Sequence, residues 1–306
     1  MKISKVVVIG SGTMGSGIAA QVANAGLQVH LLDLTTEIAT KACERIKKSR
    51  PPLLMEENNL NHIIPGSIEN DMETLKDADW VVEAVVERID IKKTLYSQID
   101  TLRKPGALVS SNTSSIPLKV LTEDMSKEMK EVFCITHFFN PVRYMRLLEL
   151  VIGPQNDKEK INDLVNFGDK ILGKTVVVCN DSPGFLGNRV GVYAMQVAMT
   201  EAFNFGLTVE EADAVFGRPL GIPKTGIFGL YDLIGIDLMA DVLKSFIKEL
   251  PSSDVFHEVA KEIPLVKKLI NTGYTGRKGK GGFYRMNKKD GKKILEAINL
   301  NDGKYS

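Results

Sequence analysis

A short apolar run that leads through a glycine-rich turn into a helical segment is the feature that most restricts the fold. The run Val6–Ile9 is entirely β-branched, which is typical of a strand buried on both faces of a parallel sheet. The sequence Gly-Ser-Gly-Thr-Met-Gly follows at residues 10–15, and residues 16–23 have small side chains at helical spacing. This order predicts the first strand, turn and helix of a parallel α/β sheet.

The glycines of the turn match a dinucleotide-binding fingerprint. Gly10 permits the tight turn, Gly12 allows a pyrophosphate to approach the backbone, and Gly15 allows the helix to pack closely on the strand. The phosphates would lie against the unpaired N–H groups at the helix N-terminus. We therefore predict a Rossmann-type domain whose cofactor-binding loop also includes Thr13 and Met14. A glycine-rich turn in some other α/β protein is the alternative, and the flanking strand and helix disfavour it.

A carboxylate follows the second predicted strand, residues 29–32. Asp33 stands about twenty residues beyond the glycines, where a carboxylate binds the adenine ribose hydroxyls. Its charge would repel a 2′-phosphate, and residues 34–36 supply no arginine to receive one. The cofactor is therefore predicted to be NAD rather than NADP.

Composition excludes several other classes of function. The formal net charge of the 306 residues is +1, so neither nucleic acid nor a membrane surface is an expected partner. The three cysteines, Cys43, Cys134 and Cys179, are widely spaced, and neither a disulfide framework nor a metal site is predicted. The first strand leaves no room for a signal peptide and no apolar run approaches spanning length, so we expect a soluble, cytoplasmic protein.

Polar residues follow the predicted strands at their carboxyl ends, where ligands bind in open parallel sheets. For Thr113 and Ser115 we expect a role in the turn only. The residues at these strand ends are Gly10, Asp33, Glu87, Asn112 to Ser114, and His137.

A histidine and a carboxylate are predicted to meet across a hairpin. If the segment 146–151 returns antiparallel to the strand that ends at His137, with the turn near Arg143, then Glu149 lies opposite His137. A carboxylate that holds an imidazole makes it a better base, and oxidation of a secondary alcohol with NAD requires a base. The alternative is an ordinary histidine with Glu149 on a solvated strand face.

The pattern becomes helical after a last β-branched strand at residues 174–179. We predict a Rossmann-type domain over residues 1–181, a smaller all-α domain over 182–285 and a tail over 286–306. Several helices have broad apolar faces, which favours closure on a substrate cleft, on a second subunit, or both. A homodimer is the corresponding hypothesis.

With these residues assembled, the chain resembles the L-3-hydroxyacyl-CoA dehydrogenases from about Lys5 to Tyr284. The resemblance depends on the ordered motifs GSGTMGSGIA, VVEAVVE, SNTSS, HFFNP, DSPGFLGNR and GRKGKGGFY. It implies NAD-dependent oxidation of (S)-3-hydroxyacyl-CoA to 3-ketoacyl-CoA, in fatty-acid β-oxidation or butanoate metabolism.

The resemblance also implies roles for individual residues. His137 would be the general base with Glu149 as its partner, and Ser114 and Asn188 would bind the 3-oxygen and thioester region of the substrate. Asn188 has helix capping as its structural alternative. Four further residues would contact the cofactor: Glu87, Lys92 and Asn140 on its nicotinamide half, and Lys278 from the helical domain.

The sequence at residues 143–146 and 221–226 is more similar to the dehydrogenase part of multifunctional fatty-acid oxidation proteins than to the stand-alone enzyme. The segment after Asp33 is compact and contains Pro51 and Pro52, whereas stand-alone members have a longer hairpin there that grips CoA, so no CoA-binding residue is predicted. The tail is either a lead into a further domain, with a hydratase as the expected partner, or a frayed terminus.

Two other functions stay open at this point. One is a dehydrogenase of a small hydroxy acid or sugar acid, which would keep His137 and Glu149 but would not bind CoA. The other is a non-enzymatic nucleotide-binding protein, which the combination of His137, Glu149, Ser114 and Asn188 disfavours.

Overall fold

The computed structural model of the protein describes residues 3–221, 225–289 and 291–306. The chain divides into two compact units, Met1–Leu186 and Gly187–Ser306. The strands of the first unit are β1 (Val6–Ile9), β2 (Val29–Asp33), β3 (Ile63–Ser67), β4 (Trp80–Glu83), β5 (Leu108–Ser111), β6 (Phe133–Phe138), β7 (Leu147–Val151) and β8 (Thr175–Cys179). Its helices are α1 (Thr13–Asn24), α2 (Thr36–Lys48), α3 (Ile89–Leu102), α4 (Leu118–Leu121), α5 (Lys127–Val132) and α6 (Lys158–Lys170).

These strands form one mostly parallel sheet in the order β3-β2-β1-β4-β5-β6-β7-β8. Only the pairing of β6 with β7 is antiparallel within it. The order of the strands reverses between β1 and β4, which is the topological switch point of a Rossmann-type sheet. The predicted fold class of this unit is confirmed.

The sheet separates two apolar layers because successive side chains of each strand point to opposite faces. Val6 and Val8 belong to one layer together with Ile18 of α1, and Val7 and Ile9 belong to the other together with Leu95 of α3. A strand covered on both faces must be apolar throughout, which explains the β-branched runs of the sequence.

One strand of this sheet does not appear in the sequence prediction. This strand is β3, Ile63–Ser67, which contains Pro65 and pairs in parallel with β2. β3 is the edge strand, and proline is tolerated there because one side of an edge strand makes no ladder hydrogen bonds. A short 3₁₀ helix, Met72–Lys76, follows β3.

The second unit is mainly helical, as predicted. Its helices are α7 (Gly187–Asn204), α8 (Val209–Val215), α9 (Phe228–Ile234), α10 (Ile236–Glu249), α11 (Phe256–Val259) and α12 (Pro264–Asn271). A capping box begins α8, with Thr208 and Glu211 each accepting from the other's backbone N–H. Residues 222–224 of the motif at 221–226 lie outside the described residues.

The expected tail is part of this second unit and contains a hairpin, β9 (Tyr284–Lys289) and β10 (Lys292–Ala297). Ala297, Ile298 and Leu300 are buried in the same apolar cluster as the helices. The hydroxyl of Tyr305 also donates to the carbonyl of Gly282. The described residues of the tail are therefore packed against the second unit's apolar cluster, and the described unit is not purely helical. The hairpin has no clear apolar pattern because its described strand residues are mostly exposed or half-buried, with Ala297 buried at the end of β10.

Candidate active site

The glycine-rich loop connects β1 to α1 beside the switch point of the sheet. Gly10 has a φ of +101°, and a Cβ there would lie 2.5 Å from the carbonyl oxygen of Ala84. A Cβ on Gly15 would lie 1.8 Å from the carbonyl oxygen of Gly10. These two glycines are therefore required by the fold itself, the first by its conformation and both by close backbone approach.

Gly12 differs because nothing in the described chain requires it to be glycine. Its φ is −65° and no atom lies within 4 Å of a Cβ built there. Thr13 and Met14 open α1 directly after it, and no described side chain caps this helix end. The open space and the free N–H groups fit the pyrophosphate of a dinucleotide.

Asp33 ends β2 next to this loop. One oxygen of its carboxylate accepts from the backbone N–H and the hydroxyl of Ser11, each at 2.6 Å, and the other accepts from the N–H of Leu34 at 2.7 Å. The residue lines a groove of about 600 Å³ together with Gly10, Gly12 and apolar side chains from α3 and from the segment that follows β4. The carboxylate thus lies where the adenosine half of a dinucleotide is expected, and the groove could hold the adenine.

His137 and Glu149 face each other across β6 and β7. The register pairs them directly, as the hairpin argument predicted. Nδ1 of His137 lies 2.6 Å from Oε2 of Glu149, and both side chains are buried. Oε1 of Glu149 accepts from the backbone N–H of Leu186 at 2.8 Å and contacts the Cys179 thiol, whose pKa is raised by burial and by the Glu149 charge.

Two phenyl rings fix the plane of the imidazole. The ring of Phe139 lies 4.5 Å from that of His137, and the ring of Phe185 lies 5.6 Å away on an edge-to-face geometry. Phe185 has a φ of 48° and follows Gly184, so an unusual backbone conformation brings its ring to the histidine. With Nδ1 committed to Glu149, Nε2 has no hydrogen-bond partner among the described residues and is available to a substrate.

Ser114 lies on an exposed turn after β5 that a carboxylate organises. Oε1 of Glu87 accepts from the N–H of Ser114 at 3.2 Å, from the hydroxyl of Ser115 at 3.1 Å and from the hydroxyl of Thr113. The Thr113 hydroxyl in turn accepts from the N–H groups of Ser115 and Ile116, which is the turn role expected for it. Burial disfavours ionisation of Glu87, but these hydroxyls and the Lys92 ammonium outweigh it and lower its pKa.

The side chain of Lys92 is buried, although most lysine side chains in proteins lie in solvent. Its side chain is 1% exposed, and its ammonium lies 2.7 Å from Oε1 of Glu83 and 3.2 Å from Oε2 of Glu87. Glu83 is the functional candidate that the sequence argument missed. The motif VVEAVVE contains both glutamates. The first of them, Glu83, is a charged residue within an apolar strand, and this position is the signal that could have identified it.

The remaining predicted residues are distributed over the two units. Asn140 is exposed at the end of β6 and precedes Pro141 in the first unit. Asn188 is the second residue of α7 and is half-buried, and Lys278 is exposed in the turn between Gly276 and Gly281, both in the second unit. Their roles stay predictions.

Over the residues that the structure describes, no group of three or more histidine, cysteine or acidic side chains is arranged to hold a metal ion. In the same residues, none of the helices has both the length and the apolar character needed to cross a membrane.

A switch-point glycine loop with a carboxylate after β2 is the arrangement of a dinucleotide-binding protein, and a histidine–carboxylate pair at the end of β6 is the arrangement of a general base. The comparison with protein families agrees with this class. Residues 5–182 match the NAD-binding domain of 3-hydroxyacyl-CoA dehydrogenase, and residues 184–286 match the C-terminal domain of the same enzyme. The chain belongs to the 3-hydroxyacyl-CoA dehydrogenase family.

Curated relatives include a Rickettsia felis protein named "Putative fatty acid oxidation complex trifunctional enzyme", which is 45% identical over 100% of this chain and 43% of its own length. The chain thus spans less than half of that relative. A Deinococcus radiodurans protein named "Probable 3-hydroxyacyl-CoA dehydrogenase" is 38% identical over 94% of this chain and 84% of its own length.

Solved structures with the same fold include FadB2 of M. tuberculosis, with a TM-score of 0.79 and 30% identity over 93% of this chain and 99% of that one. The (S)-3-hydroxybutyryl-CoA dehydrogenase PaaH1 of Ralstonia eutropha has a TM-score of 0.74 and 30% identity over 90% of this chain and 96% of that one.

Proposed function

We propose that the protein oxidises (S)-3-hydroxyacyl-CoA to 3-ketoacyl-CoA with NAD and catalyses the reverse reduction. The observation that carries this proposal is the hydrogen bond of 2.6 Å between His137 Nδ1 and Glu149 at the carboxyl end of β6. A buried imidazole with one nitrogen held by a carboxylate and the other free is the base that alcohol oxidation requires.

In the oxidation, Nε2 of His137 takes the proton of the substrate's 3-hydroxyl group. Glu149 stabilises the imidazolium that forms, and its hydrogen bond keeps the tautomer in which Nε2 carries the lone pair. NAD, when bound, accepts the hydride from C3. In the direction of reduction, the same nitrogen returns the proton to the 3-oxygen.

Ser114 lies on the turn after β5, and the carboxylate of Glu87, from the loop after β4, binds this turn. β5 is next in the sheet to the strand that carries His137. Because Ser114 is exposed on this turn, its hydroxyl is available to hold the 3-oxygen of the substrate. Gly12, Thr13 and Met14 would hold the pyrophosphate, and Asp33 the adenosine ribose. Glu87 and Asn140 would line the nicotinamide half, while Asn188 and Lys278 would contribute from the second unit.

The proposal extends to the setting of the reaction. A place in fatty-acid oxidation is supported by the name of the Rickettsia relative, and a further enzymatic domain or subunit by the share of its length that this chain spans. We propose that this partner is a hydratase and that the protein is cytoplasmic. A homodimer formed through the second unit is supported by exposed apolar side chains there, such as Phe205 at 75% and Leu238 at 53% exposure.

The test is the oxidation of NADH with acetoacetyl-CoA, run beside free acetoacetate and beside NADPH. Turnover that requires both the CoA ester and NADH is the expected result. Turnover of the free acid would replace the proposal by a dehydrogenase of small hydroxy acids. Tight binding of NADH without turnover of either compound would favour a non-enzymatic nucleotide-binding protein.

A further inference from the structure

Glu83 is a buried carboxylate that contacts neither the glycine loop nor His137. It ends β4, is 0% exposed and accepts four hydrogen bonds. The donors are Lys92 Nζ at 2.7 Å, the Tyr96 hydroxyl at 2.6 Å, the Ser111 hydroxyl at 2.7 Å and the Val85 N–H at 2.8 Å. A buried carboxylate is costly unless its lone pairs are satisfied, and here they are.

One route from Glu83 runs through two further charges. Its Oε1 holds the ammonium of Lys92, and the same ammonium lies 3.2 Å from Oε2 of Glu87. The other oxygen of Glu87 accepts from three donors of the turn at residues 113–115. A displacement of the Lys92 ammonium would therefore displace the carboxylate of Glu87, which holds residues 113–115 by hydrogen bonds.

A second route reaches the same turn through a hydroxyl. Oε2 of Glu83 accepts from the Ser111 hydroxyl, whose oxygen accepts from the backbone N–H of Thr113 at 3.2 Å. Two independent chains of hydrogen bonds thus begin at one carboxylate and end on adjacent residues of one turn. Such networks are stronger than isolated hydrogen bonds because their members polarise one another in a low dielectric.

We propose that Glu83 is a positioning residue that holds the Ser114 turn in its reactive conformation through Lys92–Glu87 and through Ser111. Lys92 is the bridge of this network, because its buried ammonium is shared between two carboxylates. The functional consequence rests on the proposed function, in which Ser114 orients the substrate.

The test compares Glu83→Gln, the double variant Glu83→Gln/Lys92→Met and the matched control Tyr96→Phe. Tyr96→Phe removes one hydrogen bond from Glu83 but leaves the Lys92 and Ser111 routes in place. The double variant removes both members of a buried ion pair, which costs less stability than removing one, so it supplies a folded protein if the single variant fails to fold. Each protein is assayed for kcat and KM with acetoacetyl-CoA, for NADH affinity, and for amide hydrogen exchange over residues 111–117.

We expect kcat to fall about 10- to 100-fold in Glu83→Gln and in the double variant, because small misplacement of an orienting group has effects of this size. NADH affinity is measured beside kcat because Glu87 is proposed to line the nicotinamide half, so that a change in cofactor binding is separated from a change in turnover. Exchange at residues 113–115 should accelerate about 10-fold or more in these two variants, while Tyr96→Phe should match the parent in both measurements.

Parental kcat in Glu83→Gln or the double variant would overturn the proposal, and so would a lower kcat without faster exchange in the turn. An equal loss in Tyr96→Phe would overturn it as well, because a general loss of stability would then explain the effect. If the parent itself turns over no substrate, the proposed function fails, and the exchange measurements still decide whether Glu83 holds the turn.

Discussion

Buried carboxylates have different partners in the two units of the chain. In the first unit, Glu149 and Glu83 are 0% exposed and accept from ionisable or hydroxyl side chains at the ends of strands. In the second unit, Asp232 is 3% exposed, and its donors among the described residues are backbone groups, the N–H of Phe283 at 2.8 Å and that of Tyr284 at 2.7 Å.

The difference separates two uses of the same chemical group. A carboxylate that holds a side chain fixes the tautomer, charge or direction of that side chain, which matters to a reaction. A carboxylate that holds two successive N–H groups satisfies a segment of backbone that no helix or sheet satisfies, which matters to the fold. Substitution should therefore cost turnover in the first unit and stability in the second.

The largest effect is expected for His137→Gln, which removes the proposed base. We expect kcat to fall about 10³-fold, within the usual range for general acid–base catalysis, with little change in NADH affinity. Steady-state kinetics with acetoacetyl-CoA measure this. The control is His62→Gln in the 3₁₀ helix Glu57–His62, which should keep parental turnover. Equal kcat in His137→Gln and the parent would contradict the mechanism.

Glu149→Gln tests the partner of this base. The amide keeps the volume and the contact with the Leu186 N–H, but its NH₂ group facing Nδ1 favours the tautomer in which Nε2 carries the proton. We expect kcat to fall about 10²-fold, measured in the same assay. Glu128→Gln on the exposed side of α5 is the control. A loss of stability without a loss of kcat per folded molecule would make Glu149 resemble Asp232 and break the comparison.

Asp232→Asn is the corresponding substitution in the second unit. An amide has one acceptor oxygen where the carboxylate has two. One of the backbone N–H groups of Phe283 and Tyr284 would therefore face the NH₂ group of the amide, which is itself a donor, and would lose its hydrogen bond. We expect the free energy of unfolding to fall by about 1–3 kcal/mol, with kcat per folded molecule unchanged. Urea denaturation measures it, and Asp241→Asn on exposed α10 should stay within about 0.5 kcal/mol of the parent. Equal stability of Asp232→Asn and the parent would contradict this role.

The smallest effect concerns pH. Burial raises the pKa of Asp232 to about 6, although its backbone N–H partners oppose the shift. Because the folded pKa exceeds the unfolded value of 3.8, the folded state binds more protons between about pH 4 and pH 6, and the contribution of Asp232 to stability falls as the pH rises through this window.

The difference between the free energies of unfolding of the parent and Asp232→Asn should therefore shrink by at most about 3 kcal/mol as the pH rises from 4 to 6. Above pH 6 this difference should stay constant. Urea titrations at four or five pH values measure the difference between the two proteins, in which the other titrating groups cancel. A constant difference would mean that Asp232 ionises as an ordinary exposed carboxyl.

Short sequence patterns were sufficient to predict the glycine loop, the carboxylate after β2 and the pairing of His137 with Glu149. These features depend on short-range rules, since a tight turn requires glycine at Gly10 and the alternation of side chains along two strands joined by a short turn sets their register.

Three features became visible only in the tertiary structure: the edge strand that contains Pro65, the hairpin of β9 and β10, and the burial of Lys92 between Glu83 and Glu87. An edge strand is recognised by what it pairs with, and a hairpin whose outer part is exposed has no apolar pattern to reveal it. The environment of a lysine depends on carboxylates brought to it by a neighbouring strand and loop. Burial and ion pairing of this kind arise from packing between elements, and no local pattern of residues encodes them.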